Sequence, residues 1–324
     1  MTQKKNKDHS GIYDSLRGEI AKVIVGQADL IDLLLIALLS EGHVLINGLP
    51  GLAKTLMIKA AAKASALEFS RIQFTPDLLP SDLLGYEFLD EQKKEKFMKF
   101  VKGPVFTNIL LADEINRTPP KTQSALLQAM QEKEVTVAGI KYNLPYPFLV
   151  MATQNPIEQE GTYPLPEAQL DRFMFMLNIS YPSLKEEILI SQSVVEKSLD
   201  LIAPVFGSNE YKKNLESVQA VKIAPEAVEW AVRLIHATRP QSGIAGDLVR
   251  EYVSCGASPR ASKHIINSSK TAAFLDGSCC VSRHHMLKVI RPVLRHRVFI
   301  NFAGIASNVT PDSIIDECIK TADR

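Results

Sequence analysis

The segment around residue 50 constrains the fold more strongly than any other part of the sequence. A short apolar run, HVLIN at 43–47, is followed directly by GLPGLAKT at 48–55 and then by the alanine-rich stretch TLMIKAAAKASA. A buried strand, a turn of glycine and proline and a helix in direct succession form the context that a phosphate-binding loop requires. The turn almost matches the pattern G-x-x-x-x-G-K-[ST], but Ala53 stands where the pattern has its last glycine.

The residue types of this turn predict contacts with phosphate. Its glycines allow backbone N–H groups to turn toward phosphate oxygens, and the N-terminus of the following helix adds its dipole. Lys54 is predicted to reach the β- and γ-phosphates of a nucleotide, and Thr55 to offer its hydroxyl to Mg²⁺. Alanine at position 53 is a modest change if the backbone there is helical, because a methyl group is then accommodated. The alternative is a plain glycine–proline turn with a surface lysine.

Strand and helix patterns alternate through the first half of the chain. Further strands are predicted at 69–74, 108–113, about 148–153 and 172–179, and EVTVAGIKYNL at 134–144 predicts an inserted hairpin. Such alternation is typical of a parallel sheet covered by helices on both faces. After residues 181–182 the strand patterns stop. The sequence thus predicts an α/β core over 11–181 and a helical domain over 182–324, preceded by a disordered polar tail at 1–10.

Two adjacent acids, Asp113 and Glu114, follow the third predicted strand, NILLAD. In an open parallel sheet, ligands bind beyond the carboxyl ends of the strands. Asp113 is expected to hold the metal ion through water, and Glu114 to accept a proton from an attacking water molecule. An acidic loop without a role is the alternative.

Three further polar residues stand beside predicted strands or helix starts. Asn155 follows the fourth strand and has a side chain that both donates to and accepts from a water molecule; an Asn-Pro turn is the alternative. Arg172 begins the fifth strand, where it could reach a neighbouring subunit's nucleotide or form an ion pair with Glu167 or Asp171. Arg260 lies at a helix start, where a cation opposes the helix dipole, so a bound phosphate explains it better than stability does.

Composition argues against several classes of protein. With 46% hydrophobic residues and a net charge of +1, the chain shows no sign of a general binder of polyanions. Its four cysteines form no C-x-x-C pair, which argues against a zinc or redox site. The apolar run at 30–39 is too short to span a bilayer, and no secretory signal is visible, so a cytoplasmic protein is expected. The histidines at 284–285 and 296 are predicted to lie on solvated helix faces.

Five motifs in order, GLPGLAKT, LLADEINR, ATQNP, LPEAQLDRF and GASPRA, resemble those of the MoxR family of AAA+ ATPases. The similarity covers the chain from about Gly26 to its end. An alanine before the lysine is a habit of this family, so the resemblance implies an intact phosphate loop.

The resemblance implies a role for each matching position. Lys54, Glu114, Asn155 and Arg172 would be catalytic, with Asn155 as sensor 1 and Arg172 as the arginine finger. Thr55 and Asp113 would hold Mg²⁺, and Arg260 would be sensor 2. ATP would be bound by the segment that lines the adenine and by the Walker A loop: Val25, Gly26, Gln27, Gly48, Leu49, Pro50, Gly51, Leu52, Ala53, Lys54, Thr55 and Leu56.

The family also implies an architecture and partners. Its members are P-loop NTPases with an αβα core, a parallel five-stranded sheet of order 5-1-4-3-2 and an all-α lid. A helix-2 insert would lie between the second and third strands, and 134–144 would be the pre-sensor-1 hairpin. Such proteins typically form hexameric rings with ATP at the subunit interfaces. They act as chaperone-like machines on other proteins, often through a partner with a von Willebrand factor A domain, which here would be another chain.

Three alternatives remain open at this point. Related clades include motors on nucleic acid, which the near-zero charge disfavours, although the hairpin carries Lys141. A sister group comprises the ATPase subunits of metal chelatases. The last alternative is a nucleotide-binding scaffold without turnover, against which the intact Glu114 argues.

Overall fold

The computed structural model describes residues 2–90, 97–155, 161–192 and 199–323. The first half of the chain is an α/β unit. Its elements are α1 (Thr2–Ala21), α2 (Ala28–Leu39), β1 (Val44–Gly48), α3 (Lys54–Ala64), β2 (Phe69–Gln73), α4 (Pro80–Leu84), β3 (Gly85–Asp90), β4 (Phe97–Lys102), β5 (Ile109–Asp113), α5 (Pro120–Glu132), β6 (Glu134–Val137), β7 (Ile140–Asn143), β8 (Leu149–Gln154), α6 (Glu167–Leu170) and β9 (Phe175–Ile179).

The second half is helical apart from one short antiparallel strand pair. Its elements are α7 (Leu184–Gln192), α8 (Ser208–Ala220), α9 (Pro225–Ala237), α10 (Asp247–Tyr252), β10 (Val253–Cys255), α11 (Pro259–Leu275), α12 (Arg283–Leu294), β11 (Phe299–Ile300), α13 (Phe302–Ala306) and α14 (Pro311–Ala322). Strands β10 and β11 have three and two residues, so they are too short to leave a periodic pattern in the sequence.

The central sheet has five parallel strands in the order β2-β5-β8-β1-β9. Counted along the chain, this is the order 5-1-4-3-2, so the predicted topology is confirmed. The fifth strand begins at Phe175, three residues later than the sequence pattern suggested, which leaves Arg172 in the turn before it. Two hairpins extend from this unit: β3 pairs with β4, and β6 pairs with β7.

Alternate residues of the central strands enter two different cores. On β5, Ile109 and Leu111 pack into one cluster, whereas Leu110 and Ala112 pack into the other. This two-residue period places each set on one face of the sheet, as a sheet covered on both sides requires. The larger cluster continues into the helical half, because it also contains buried residues of α9, α11 and α12. The larger hydrophobic cluster therefore packs across the domain boundary predicted near residue 181.

Helices α1 and α2 lie between the sheet and the helical half. Buried Asp32 on α2 accepts a hydrogen bond from Lys288 of α12 at 3.0 Å and another from the hydroxyl of Tyr13 on α1. Arg17 of α1 lies 3.5 Å from the same carboxylate. Helix α1 begins at Thr2, within the segment that the sequence predicts to be a disordered tail. Among the described residues, no helix combines the length and apolar character needed to cross a bilayer.

Candidate functional site

The predicted phosphate loop connects β1 to α3. Strand β1 ends at Gly48, and α3 begins at Lys54 with Ala53 as its N-terminal cap residue. Gly51 has a φ of 82° and Ala53 a φ of 55° with ψ of 20°. The condition of a right-handed helical backbone at Ala53 is therefore not met: the residue adopts the left-handed conformation that the usual glycine takes freely. The alanine preserves the turn at a cost of about 1–2 kcal/mol of strain.

This strain predicts a gain in stability on Ala53→Gly. Relief of the left-handed strain, about 1–2 kcal/mol, exceeds the entropic cost of glycine, about 0.5–1 kcal/mol. We expect the free energy of unfolding, measured by urea titration, to rise by about 0.5–1 kcal/mol. The variant should still bind ATP. Exposed Ala66, with a φ of 48°, provides a matched control outside the loop, because Ala66→Gly should give the same gain. A loss of stability in Ala53→Gly alone would contradict this account of the turn.

Lys54 and Thr55 are the first two residues of α3, and the side chain of Lys54 reaches back across the loop. The ammonium group of Lys54 donates to the carbonyl oxygen of Gly48 at 2.8 Å, across the turn. Burial lowers the pKa of Lys54, while the charges of Asp113 and Glu114 oppose that shift. These two carboxylates are thus close enough to Lys54 to form one electrostatic unit with it.

Asp113 and Glu114 are joined to the neighbouring strand by Thr153. The buried hydroxyl of Thr153 on β8 donates to Asp113 at 2.6 Å and accepts the backbone N–H of Glu114 at 2.8 Å. Glu114 has a φ of 56° and leaves the strand in the left-handed conformation. One hydroxyl therefore fixes the metal-binding candidate and the candidate base relative to each other.

Residues of β2 and of the turn after β5 hold the two carboxylates. Arg71 donates to Asp113 at 2.6 and 3.1 Å, and Gln73 donates to Glu114 at 2.7 Å. Arg117 donates to the same oxygen of Glu114 at 2.9 Å. Sequence reasoning missed Arg71, Gln73, Arg117 and Thr153. The sequence does contain a pattern that could have revealed Arg71 and Gln73, because they are polar residues at alternate positions of a predicted strand.

Asn155 directly follows β8, the strand that lies between β1 and β5. It is 7% exposed. Its position in the sheet therefore places it between the phosphate loop and the acid pair, at the edge where all three strands end. We call this edge the carboxyl edge and the opposite edge, where the strands begin, the amino edge.

The chemistry of these residues fits a magnesium nucleotide. Thr55 and Asp113 supply the hydroxyl and carboxylate oxygens that Mg²⁺ prefers, and Mg²⁺ commonly takes its other ligands from phosphate and water. Within the described ranges, no cluster of three or more His, Cys, Asp or Glu residues could hold a metal ion by itself. Thr55 and Asp113 are therefore suited to bind a metal ion that is also coordinated by the phosphates of a nucleotide.

The segment predicted to line the adenine borders a cleft of about 920 Å³. Val25 is half-buried, and Gly26 and Gln27 have φ values of 70° and 53° in the turn before α2. The positive φ of Gly26 strains any residue with a side chain, which favours glycine at this turn. Gln27, Tyr181 and Glu186 all line this cleft, beside the end of β9. Since Gly48 of the loop is in register with Ile179, the cleft adjoins the phosphate loop.

Arg172 and Arg260 lie together at the amino edge. They line a pocket of about 350 Å³ with His43, the residue that precedes β1, and with Lys263 of α11. The backbone N–H of Met174 donates to the carbonyl oxygen of His43 at 2.7 Å, which anchors the turn of Arg172 at this edge. The five-residue strand β1 spans roughly 13 Å at about 3.3 Å per residue. The two arginines are thus separated from this chain's phosphate loop by the length of the sheet.

The pocket is cationic at neutral pH. Arg172, Arg260 and Lys263 contribute three positive charges, and sequence reasoning missed Lys263, one helical turn beyond Arg260. Burial lowers the pKa of His43 to about 4 and that of His264 to about 3, so both rings are neutral. The prediction of solvated histidines is wrong for His285 and His296, which are 5% and 3% exposed. Helix packing buries them, and helical spacing alone did not reveal it.

Comparison with known proteins decides the family. The family described as ATPase family associated with various cellular activities (AAA) matches residues 43–175, and the AAA lid domain matches residues 246–318. Chaperone MoxR1 of Mycobacterium tuberculosis is 43% identical over 306 residues, which cover 94% of this chain and 80% of that protein. The chain belongs to the MoxR family of AAA ATPases. Uncharacterized protein YeaC of Bacillus subtilis is 41% identical over 300 residues, covering 92% of this chain and 90% of that protein.

A solved structure agrees with this MoxR-family fold. A proposed ATPase from Cytophaga hutchinsonii superposes with a TM-score of 0.91 at 38% identity, covering 98% of this chain and 96% of the other. The AAA match covers four strands of the sheet and ends at Phe175, the first residue of the fifth, and the lid match runs from α10 into α14. The predicted family, fold class and helical lid are therefore confirmed.

The predicted site residues of this MoxR-family chain fall into two groups. The phosphate loop, Asp113, Glu114 and Asn155 surround the carboxyl edge, next to the cleft beside Gln27. Arg172 and Arg260 lie at the amino edge. The two groups therefore lie at opposite ends of the strands of one sheet.

Proposed function

We propose that this chain hydrolyses ATP with Mg²⁺ in sites completed between the subunits of a closed ring, and that it uses the cycle to remodel or mature protein complexes. The observation that carries the proposal is the separation of Arg172 and Arg260 from the phosphate loop. When two copies meet head to tail, the arginines of one copy and the phosphate loop of the other can form one site.

A head-to-tail contact uses two different surfaces of each subunit. Such a heterologous interface closes into a ring when its rotation divides a full turn evenly. The family typically assembles six subunits, and we adopt that number. In the ring, Arg172 and Arg260 of one subunit act on the nucleotide of the next.

The residues of the carboxyl edge divide the chemistry. Backbone N–H groups of Gly48–Thr55 and the ammonium group of Lys54 bind and orient the phosphates. Thr55 and Asp113 would hold Mg²⁺, which neutralises phosphate charge when bound. Glu114 accepts the proton of the attacking water, and Asn155 orients that water. Gln73 and Arg117 both donate to one oxygen of the Glu114 carboxylate, and these two contacts position the base.

Support for a protein client comes from the hairpin β3–β4 and from a relative. Tyr86, Leu89 and Met98 of this hairpin are 51%, 46% and 58% exposed, so it offers apolar side chains to another protein. The relative from Mycobacterium tuberculosis is named a chaperone. We propose a separate von Willebrand factor A domain protein as the adaptor to the client. Lys141, the one lysine of the β6–β7 hairpin, is paired with Glu134 at 2.6 Å, which does not favour the nucleic-acid alternative.

Assembly can be tested through the dependence of ATP turnover on protein concentration. If neighbouring subunits complete each site, the rate per subunit rises with concentration and reaches a plateau as rings form. Size-exclusion chromatography with light scattering, run at the same concentrations, should show the mass rising over the same range. A rate per subunit that stays constant from a monomeric to an assembled sample would contradict the proposal.

A further inference from the structure

Asp171, the residue before the candidate arginine finger, is the meeting point of three parts of the fold. Its carboxylate accepts a hydrogen bond from Arg297 at 2.8 Å and lies 2.9 and 3.0 Å from the hydroxyl of Ser258. Arg260 lies 3.5 Å from it. The turn before β9, the start of α11 and the segment after α12 therefore converge on one side chain.

Arg297 fixes the backbone that carries Arg172. It is 2% exposed and donates to the carbonyl oxygens of Asp171 at 2.9 Å, Phe173 at 2.6 Å and Met174 at 3.3 Å. Two of these carbonyls flank Arg172 directly. The guanidinium group thus holds the turn of Arg172 to the segment that follows α12.

Ser258 connects the same carboxylate to Arg260. It is the N-terminal cap residue of α11, and its hydroxyl accepts the backbone N–H of Arg260 at 3.2 Å. A movement of Asp171 would therefore disturb the helix start from which Arg260 projects.

The charge of Asp171 also opposes repulsion among cations. Arg172, Arg260 and Lys263 line the neighbouring pocket, and Arg297 is buried beside it. The other titratable groups of this pocket, His43 and His264, are neutral at pH 7, since burial lowers their pKa values to about 4 and 3. Asp171 is the acidic residue of this pocket lining, so it has the position to keep like charges close to one another.

We infer that Asp171 is a positioning residue that holds Arg172 and Arg260 as one rigid pair, so that both reach the neighbouring subunit's nucleotide together. This inference rests on the proposed function. A purely structural role, in which Asp171 only neutralises buried Arg297, makes a different prediction: damage would then spread to the subunit's own phosphate loop.

The first test is Asp171→Asn, which keeps the shape and removes the charge. We expect kcat for ATP to fall on the order of 10- to 100-fold, because small misplacements of catalytic groups cost factors of this size. The affinity for a fluorescent ATP analogue should stay within about threefold, since this chain's own loop is distant. Asp323→Asn removes another charged partner of an arginine, Arg283 at 2.6 Å on the lid, and should leave kcat unchanged.

The second test assigns the defect to one side of the subunit. Glu114→Gln subunits carry intact arginines but a disabled base. Asp171→Asn subunits are mixed with an excess of Glu114→Gln subunits. The rate of ATP hydrolysis per Asp171→Asn subunit should then return to near the wild-type value, because the phosphate loops of these subunits now face intact arginines. The mixture of Arg172→Ala with Glu114→Gln calibrates the gain.

A milder pair of variants covers the case in which Asp171→Asn fails to fold. Ser258 and Thr310 are both cap residues that accept a backbone N–H at 3.2 Å, but Ser258 also contacts Asp171. Ser258→Ala should lower kcat severalfold and be rescued in the same mixture, whereas Thr310→Ala should not lower kcat.

The outcomes separate the two claims. If Arg172→Ala is rescued but neither Asp171→Asn nor Ser258→Ala is, the positioning role is overturned and the intersubunit site stands. If Arg172→Ala is not rescued either, the proposed function fails and this inference fails with it. Equal loss of kcat in Ser258→Ala and Thr310→Ala would also overturn the positioning role.

Discussion

Replacing Glu114 with Gln lowers ATP turnover by on the order of 10²–10⁴-fold, the contribution typical of a general base. The amide cannot accept the proton of the attacking water. ATP binding remains within about threefold of the wild type, because the phosphate loop is untouched and an amide can still pair with Gln73. Phosphate release under saturating ATP measures the first quantity, and titration with a fluorescent ATP analogue measures the second.

Glu216 provides the control for this substitution. It is an exposed residue of α8, so Glu216→Gln has the same chemical change on the lid surface and should leave turnover and binding unaltered. Turnover within about threefold of the wild type in Glu114→Gln would remove Glu114 from the role of base. Loss of binding together with turnover would mean that the carboxylate shapes the loop instead of serving the chemistry.

Replacing Arg172 with Ala is expected to lower turnover by about 10³-fold, since an arginine finger contributes 10³–10⁵-fold in phosphoryl transfer. Arg172 makes one exposed hydrogen bond to Gln131, at 3.2 Å, so the free energy of unfolding should change by less than about 0.5 kcal/mol. ATP affinity should be retained. Steady-state turnover, urea titration and nucleotide titration measure the three quantities.

Arg233 supplies the matching control, because it is exposed on α9 and absent from the cationic pocket. Arg233→Ala should hydrolyse ATP at the wild-type rate. If Arg172→Ala did the same at concentrations where the ring is formed, the finger would have to be assigned to another residue. A large fall in stability would instead place Arg172 in the support of the turn.

The local parts of the fold and site were predictable from the sequence. The phosphate loop, the acid pair and Asn155 are each attached to the end of an apolar run, and that attachment is visible within a few residues. Parallel strands then bring those ends to one edge of the sheet. Predicting the strands was therefore enough to place these residues together at the carboxyl edge. The order of the strands came from the resemblance to the family and was confirmed by the sheet.

Contacts between distant parts of the chain were not predictable. Thr153 reaches Asp113 across 40 positions, and Arg71 reaches it across 42, so their roles depend on which strands are neighbours. Asp171 and Arg297 are 126 positions apart and meet only when the lid packs against β9. The hydrophobic periodicity of a segment shows which of its faces is buried, but not which other segment covers that face.

Neither the backbone conformation of Ala53 nor the burial of two histidines could be read from the local sequence. The motif identified Ala53 as part of the loop, but a motif does not state φ, and the turn needed a left-handed residue. His285 and His296 show no metal-ligand spacing with acids, so solvated helix faces were predicted for them. Packing of α12 and the following turn against the rest of the chain buries both rings.

The central claim is that one subunit's arginines act on the next subunit's nucleotide, and mixing two inactive variants tests it most directly. Glu114→Gln subunits and Arg172→Ala subunits are each expected to hydrolyse ATP very slowly alone. Combined, they should regain turnover, with the rate following the fraction of contacts between an intact loop and an intact arginine edge. A mixture that forms rings and remains as slow as its components would contradict the account.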